Sequence, residues 1–193
     1  MTPPSSPGEQ DVWLIVIDMQ RIFGEATSAW FTPRYARASA GAVRLRDAFG
    51  SRVARTRFVA PATPTGAWIP YYERWPFALD PASSSLYDLM PEFASGGGVV
   101  IDRTTFGKWD ERTRVSLGGT TEIVLAGVST DCCVLSTALA AADAGVHVRV
   151  AADACAGVSE ADHRRALDAM ALYAPLIEIT TVDAVLADLA APR

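Results

Sequence analysis

The chain has 193 residues, with one Lys and 16 Arg against 22 acidic residues, a net charge of -5, half its residues hydrophobic, three Cys and two His. That length suits one domain burying roughly 70% of its unfolded surface, which excludes a disordered chain, a disulfide scaffold and a collagen-like repeat. The acidic balance argues against nucleic-acid or anionic-membrane partners and leaves a small-molecule substrate as the expected ligand.

Residues 1–10 are rich in Pro and Ser and are expected to be a flexible tail before a domain over residues 11–193. They carry neither a basic nor an apolar leader region, and no apolar run reaches the ~18 residues of a membrane span, so a cytoplasmic protein with free thiols is expected. Beyond the tail, short β-branched runs alternate with Ala-rich stretches of helical length. Strands are expected at Val12–Ile17, Val53–Val59, Val99–Asp102, Glu122–Ala126, Val146–Ala151 and Leu176–Thr180. Helices are expected at Pro33–Phe49, Glu111–Leu117, Asp131–Ala144, Glu160–Tyr173 and Val182–Leu189. The fold class is therefore α/β: a single domain with a six-stranded parallel sheet covered by helices on both faces. Residues 61–90 lack a period but carry Trp68, Tyr71, Tyr72, Trp75 and Phe77, and read as a wall or lid over the site.

Ligands of open parallel sheets bind outside the carboxyl ends of the strands, so the site is expected at those ends. Asp18 follows the first apolar strand directly and is a candidate general base, although an Asp there also suits a turn cap. After the third strand, Arg103 and the chain's single lysine, Lys108, each place a cation near the same edge. Either cation, about 4 Å from a thiolate at an effective dielectric near 20, contributes about 4 kcal/mol, enough to stabilise the anion. After the fourth strand, Cys132 and Cys133 fall in the first turn of the expected helix, where unpaired N–H groups and the helix dipole favour a thiolate and an oxyanion. Cys155 has no such setting and reads as a small buried hydrophobe.

Other chemistries lack support. His147 and His163 sit apart on a strand and a helix, so no metal site and no cofactor is expected. There is no dinucleotide fingerprint or Walker loop, and Gly96–Gly98 precedes a strand, the wrong order for a phosphate cradle. Adjacent Cys132 and Cys133 lack the spacing of a thioredoxin-like motif.

The strand ending in Asp18-Met19-Gln20, followed by Phe23, the run AGVSTDCCVLSTALAAADAG over 126–145, and the strand running into Asp153 together resemble the isochorismatase-like cysteine hydrolases. The resemblance extends over nearly the whole chain, and 127–137 is its specific part. It implies a Rossmann-like three-layer fold, a homodimer or homotetramer, and an Asp, Lys and Cys triad. Asp18 matches the base and Cys133 the nucleophile, and a cis peptide is implied at Val128–Ser129. Aligning 106–109 with the family's aromatic run puts Arg103 in the lysine position, so Arg103 is expected to keep the electrostatic role, with Lys108 as the alternative. The family's nicotinamidase branch carries metal-binding Asp and His after the second strand, and 57–72 holds neither.

The resemblance implies hydrolysis of a C–N bond in a small amide or ureide through a Cys133 thioester, with Ser129 and Cys133 forming the oxyanion hole. Phe23, Arg57, Trp68, Tyr72, Trp75, Lys108 and Trp109 are the candidate substrate-binding residues. Two alternatives stand beside it: vinyl-ether hydrolysis that does not need the cysteine, and a non-catalytic binding domain whose lysine has become arginine.

Overall fold

The computed structural model describes residues 12–191; the expected tail at 1–10 lies outside them. Six strands, β1 (Trp13–Ile17), β2 (Val53–Phe58), β3 (Val99–Arg103), β4 (Glu122–Val128), β5 (His147–Ala156) and β6 (Ile177–Thr180), form one sheet in the order β3-β2-β1-β4-β5-β6. Every pairing is parallel. The chain winds outward from β1 to β3 and then returns to place β4 on the other side of β1. Those two strands flank the switch point where an open sheet leaves a crevice at its carboxyl edge.

Both faces of the sheet are covered, and β1 shows why its sequence is apolar throughout. Leu14 and Val16 pack into one core and Ile15 and Ile17 into the other, with the side chains of successive residues pointing to opposite faces. On the first face, α2 (Tyr35–Phe49) lies across β5, β4 and β1 beside α8 (Val182–Ala190). On the second, α6 (Leu135–Asp143) packs on β5 and α7 (Glu160–Ala171) on β6. Ser159 and Thr181 cap α7 and α8, each accepting a hydrogen bond from a backbone N–H of the first turn.

Most expected boundaries fall within two residues, but two differ for physical reasons. The helix expected over 131–144 is split into a π-helical turn, Thr130–Val134, and then α6. β5 runs five residues beyond Ala151 because its register against β4 jumps between Leu125 and Gly127, so the polar interruption at Asp153 is absorbed by a bulge. At the same point Gly127 has φ 121°, and a Cβ there would lie 2.1 Å from the Ile17 carbonyl oxygen. The close approach of β1 and β4 therefore requires glycine.

Residues 61–90 are ordered as α3 (Trp68–Arg74) and two 3₁₀ segments, Pro76–Leu79 and Pro81–Tyr87. The end of this stretch is fastened to the segment after β1. Gln20 Nε2 donates to the carbonyls of Phe58 (2.9 Å) and Tyr87 (2.6 Å), its Oε1 accepts from Phe58 N–H, and Met90 N–H donates to Met19 O. Gln20 thus joins β2 to this wall with its amide satisfied on both sides.

Candidate functional site

Asp18 leaves β1 with φ 49°, the one positive φ among the described non-glycine residues. Asp tolerates this conformation better than most residues, and such values concentrate at sites the fold over-determines. Thr56 on β2 fixes it: Asp18 N–H donates to Thr56 Oγ1 at 3.1 Å, and that hydroxyl donates to Asp18 Oδ1 at 2.6 Å. The other oxygen, Oδ2, faces Lys108 Nζ at 2.9 Å, and both side chains are fully buried. This approach is an ion pair without the alignment of a hydrogen bond, so Oδ2 keeps a lone pair for a further proton.

Lys108 comes from the loop after β3 and is turned inward by its surroundings. Its Nζ donates to Thr105 O at 2.7 Å and sits 5.1 Å from the centroid of the Phe58 ring, while its carbonyl accepts from Thr113 Oγ1. Its N–H donates to Thr137 Oγ1 at 3.0 Å, and the same hydroxyl donates to Cys133 O at 2.6 Å. One α6 side chain therefore spaces the lysine loop from the cysteine turn.

Cys133 lies in the π-helical turn after β4, directly beyond the cis peptide Val128–Ser129. The turn closes on itself, with Cys132 and Val134 N–H both donating to Ser129 O. Ser129 Oγ donates to Asp131 Oδ1, which also accepts from Val158 N–H. Thr130 Oγ1 lies 2.8 Å from His163 Nδ1 on α7. Burial pushes the Cys133 thiol well above the ordinary range; the Asp18 charge adds, and Lys108 opposes. The expected dipole-favoured thiolate is thus not the resting form: desolvation outweighs the turn's N–H groups, and the proton stays beside Asp18. Burial also raises Cys132 to about 11, with Asp131 adding, and Cys155 to about 12.

Arg103 does not join this group. Its guanidinium donates to Asp110 Oδ1 and Thr113 Oγ1, 2.9 and 2.8 Å away, bracing the loop that holds Lys108. β3 is an edge strand, and its last residue reaches the start of α5 (Glu111–Ser116) rather than the crevice. The cation expected beside Asp18 is instead Lys108.

A cavity of about 500 Å³ opens over Cys133, lined at its floor by Ser129, Asp131, Cys132 and Cys133. Asp18 and Lys108, both fully buried, are not among its lining residues. Of the expected substrate-binding residues, Phe23 and Trp75 line the cavity. Trp68 packs edge-on against Tyr71 and Phe106, behind the lining, and Tyr72 is a buried core residue. Trp109 is buried in the core cluster that also holds Cys133 and is not among the cavity's lining residues, and Arg57 pairs with Asp102 across β2 and β3 at the sheet edge. The loop between α1 (Arg21–Gly24) and α2 contributes Trp30, Phe31 and Thr32, and Phe58, Tyr71 and Phe106 complete the ring-lined wall. The Trp30-Phe31 pair in a loop was the sequence signal for this wall, since adjacent large aromatics outside strands and helices need a packing partner. No group of three His, Cys, Asp or Glu able to hold a metal occurs among the described residues, and none of their helices is long and apolar enough to cross a membrane.

The family model described as the isochorismatase domain matches residues 12–183. No curated protein sequence matches. Among solved structures, a cysteine hydrolase from Pseudomonas syringae pv. phaseolicola 1448A is similar with a TM-score of 0.82 and 21% identity, over 97% of this chain and 95% of that one. An isochorismatase family protein from Desulfovibrio vulgaris subsp. vulgaris str. Hildenborough gives 0.79 and 17%, over 94% and 100%. N-carbamoylsarcosine amidase from Thermoplasma acidophilum gives 0.69 and 18%, over 88% and 95%. At these identities the structures share the fold, and the match over 12–183 carries the assignment: the chain belongs to the isochorismatase family of hydrolases.

Proposed function

We propose that the protein hydrolyses a C–N bond of a small amide or ureide through a Cys133 thioester. One observation carries this reading: a buried carboxylate, Asp18, has Lys108 at 2.9 Å, both charges act on the Cys133 thiol, and Cys133 lines a cavity of about 500 Å³. A structural salt bridge alone does not require a thiol at that carboxylate or a cavity above it.

Asp18 takes the Sγ proton as the sulfur attacks the carbonyl carbon, so the thiolate never has to exist in bulk equilibrium. The Ser129 and Cys133 N–H groups hold the developing oxyanion. Asp18 returns the proton to the leaving nitrogen as the C–N bond breaks, releasing ammonia or an amine. Asp18 then takes a proton from water, whose oxygen attacks the thioester carbon; the C–S bond breaks and the sulfur recovers its proton. The Lys108 ammonium keeps the carboxylate oriented and offsets negative charge on sulfur. The amidase among the similar structures supports C–N chemistry on this fold. The pseudoenzyme reading assumed an arginine in place of the lysine, and Lys108 beside Asp18 removes that assumption.

The test is ammonia release from a panel of amides and ureides by the wild type, Cys133→Ala and Asp18→Asn. Both variants are expected to lose turnover. Full turnover by Cys133→Ala with loss in Asp18→Asn overturns the thioester and points to cysteine-independent chemistry such as vinyl-ether hydrolysis.

A further inference from the structure

Resting on that hydrolase reading, we propose that His163 is a positioning residue for the Cys133 nucleophile: its imidazole accepts a hydrogen bond from the Thr130 hydroxyl and so holds the turn whose N–H groups receive the oxyanion. Thr130 opens this turn, is fully buried, and has its Oγ1 2.8 Å from His163 Nδ1. No side chain caps the turn at its own start. Two side chains fasten it instead to the segment that joins β5 to α7: Asp131, whose Oδ1 accepts from Val158 N–H at 3.0 Å, and Thr130.

That segment is a firm anchor. A Cβ on Gly157 would lie 2.6 Å from Asp131 Oδ1 and 3.0 Å from His163 N, so the end of β5, the turn and the start of α7 meet without spare space. His163 N–H donates to Ser159 O at 2.9 Å inside the first turn of α7, which Ser159 caps. A shift of the imidazole is therefore a shift of α7, and Thr130 follows it.

The charges around the ring decide which atom donates. Burial together with Arg34 and Arg37 of α2 disfavours the imidazolium; Glu160 of α7, itself paired with Arg34, and Asp131 of the turn oppose them. Asp153 of β5 lines the same cavity of about 280 Å³ as His163, and its Oδ1 accepts from Val182 N–H. The ring is thus neutral at pH 7, with Nδ1 as the acceptor and the Thr130 hydroxyl as the donor. A proton on Nδ1 removes that acceptor and leaves a buried hydroxyl hydrogen without its partner. The ring-lined wall over Cys133 comes from the α1–α2 loop, α3, Phe58 and Phe106, so loss of this bond disturbs the reacting groups and spares the contacts that bind substrate.

The test combines ammonia release from the best substrate of the amide and ureide panel with alkylation of Cys133 by iodoacetamide, which needs no substrate. Alkylation is read by peptide mass spectrometry, with Cys132 and Cys133 separated by fragmentation. Thr130→Val and His163→Leu are expected to lower kcat about 10-fold with KM within about 2-fold of wild type, and the double variant to lose no more than either single one, since both remove the same bond. The same two variants change the Cys133 alkylation rate by at least about 3-fold. Thr130→Ser, and His163→Asn with its amide oxygen in place of Nδ1, are expected to restore both readouts. As pH falls below about 6.5 the wild type loses turnover as His163 gains its proton, whereas His163→Asn, which has no such proton to gain, keeps turnover to lower pH. All rates are taken at a temperature where the unfolding curve shows the variant folded, and His163→Gln and Thr130→Ala replace a variant that does not fold. A role in stability alone lowers the unfolding midpoint and leaves kcat and its acid limb unchanged. Wild-type alkylation in Thr130→Val and His163→Leu, or additive losses in the double variant, overturn the inference. Cys133-dependent turnover with kcat unchanged in both variants overturns it and leaves the hydrolase reading intact. Cys133 alkylation that depends on Thr130 and His163, with no Cys133-dependent release from any amide or ureide, overturns the hydrolase reading and leaves the positioning role.

Discussion

Lys108 Nζ lies 2.9 Å from Asp18 Oδ2 with neither side chain reaching solvent. Removing one partner leaves the other charged and unpaired in a dry interior, so Lys108→Met is expected to cost about 3–5 kcal/mol in urea unfolding, whereas Asp18→Asn/Lys108→Met together cost less than Lys108→Met alone. Turnover falls by about 100-fold or more in both. Arg103→Ala is the control. Its contacts are partly exposed, at 24% for Arg103 and 45% for Asp110, so the loss stays near or below about 1 kcal/mol and most turnover survives. The opposite ranking, with Arg103→Ala inactive and Lys108→Met active, would return the cation's role to Arg103.

How far the sequence exposed this site depended on where each side chain is determined. Asp18 follows β1 directly and Cys133 lies in the turn after β4, so placing those strands brought both regions into view, whereas the choice of Cys133 over Cys132 and the cis peptide at Val128–Ser129 came from the family resemblance alone. The lysine was hidden because its direction is set by Thr113 and Thr137, which reach the loop from α5 and α6. Counting residues from an aromatic run cannot register contacts made across such sequence distances. Arg103 drew attention as a strand-end cation, but at the sheet edge its partner is the cap of α5. The aromatic wall divides similarly: the density of rings over 61–90 points to one side of it, while Trp30 and Thr32 lie in a connection without a periodic pattern.

The close passage of Gly127 against β1 gives a second prediction. With φ 121° and a hypothetical Cβ 2.1 Å from Ile17 O, Gly127→Ala must either move β1 or distort the strand that leads to Ser129. Destabilisation of at least about 3 kcal/mol is expected in chemical unfolding, with loss of turnover in any protein that still folds. An alanine variant of wild-type stability would mean that the two strands can separate freely.

His163 introduces a pH dependence. Burial holds its imidazole below the usual value, with Arg34 and Arg37 adding and Glu160 and Asp131 opposing. The unfolded chain therefore binds more protons than the native one between the folded value and the ordinary value of about 6.5. The stability from neutral His163 is present above about 6.5 and is lost as pH falls through the folded value. His163→Gln is expected to flatten the dependence of unfolding free energy on pH across that window. An unchanged slope would show that another group titrates there.

Thr137 offers the narrowest test of how the two halves of the site are kept in register. Its hydroxyl accepts from Lys108 N–H at 3.0 Å and donates to Cys133 O at 2.6 Å, and all three residues are buried. Thr137→Val keeps the volume but strands a buried N–H donor, at a cost of about 1–3 kcal/mol in unfolding free energy. If the hydroxyl served stability alone, turnover at a temperature where the variant is folded would be unchanged. Its position predicts otherwise: the lysine loop loses its reference to the cysteine turn, so turnover number falls several-fold in Thr137→Val and is restored in Thr137→Ser. Steady-state kinetics on all three proteins, beside their unfolding curves, separates the two roles.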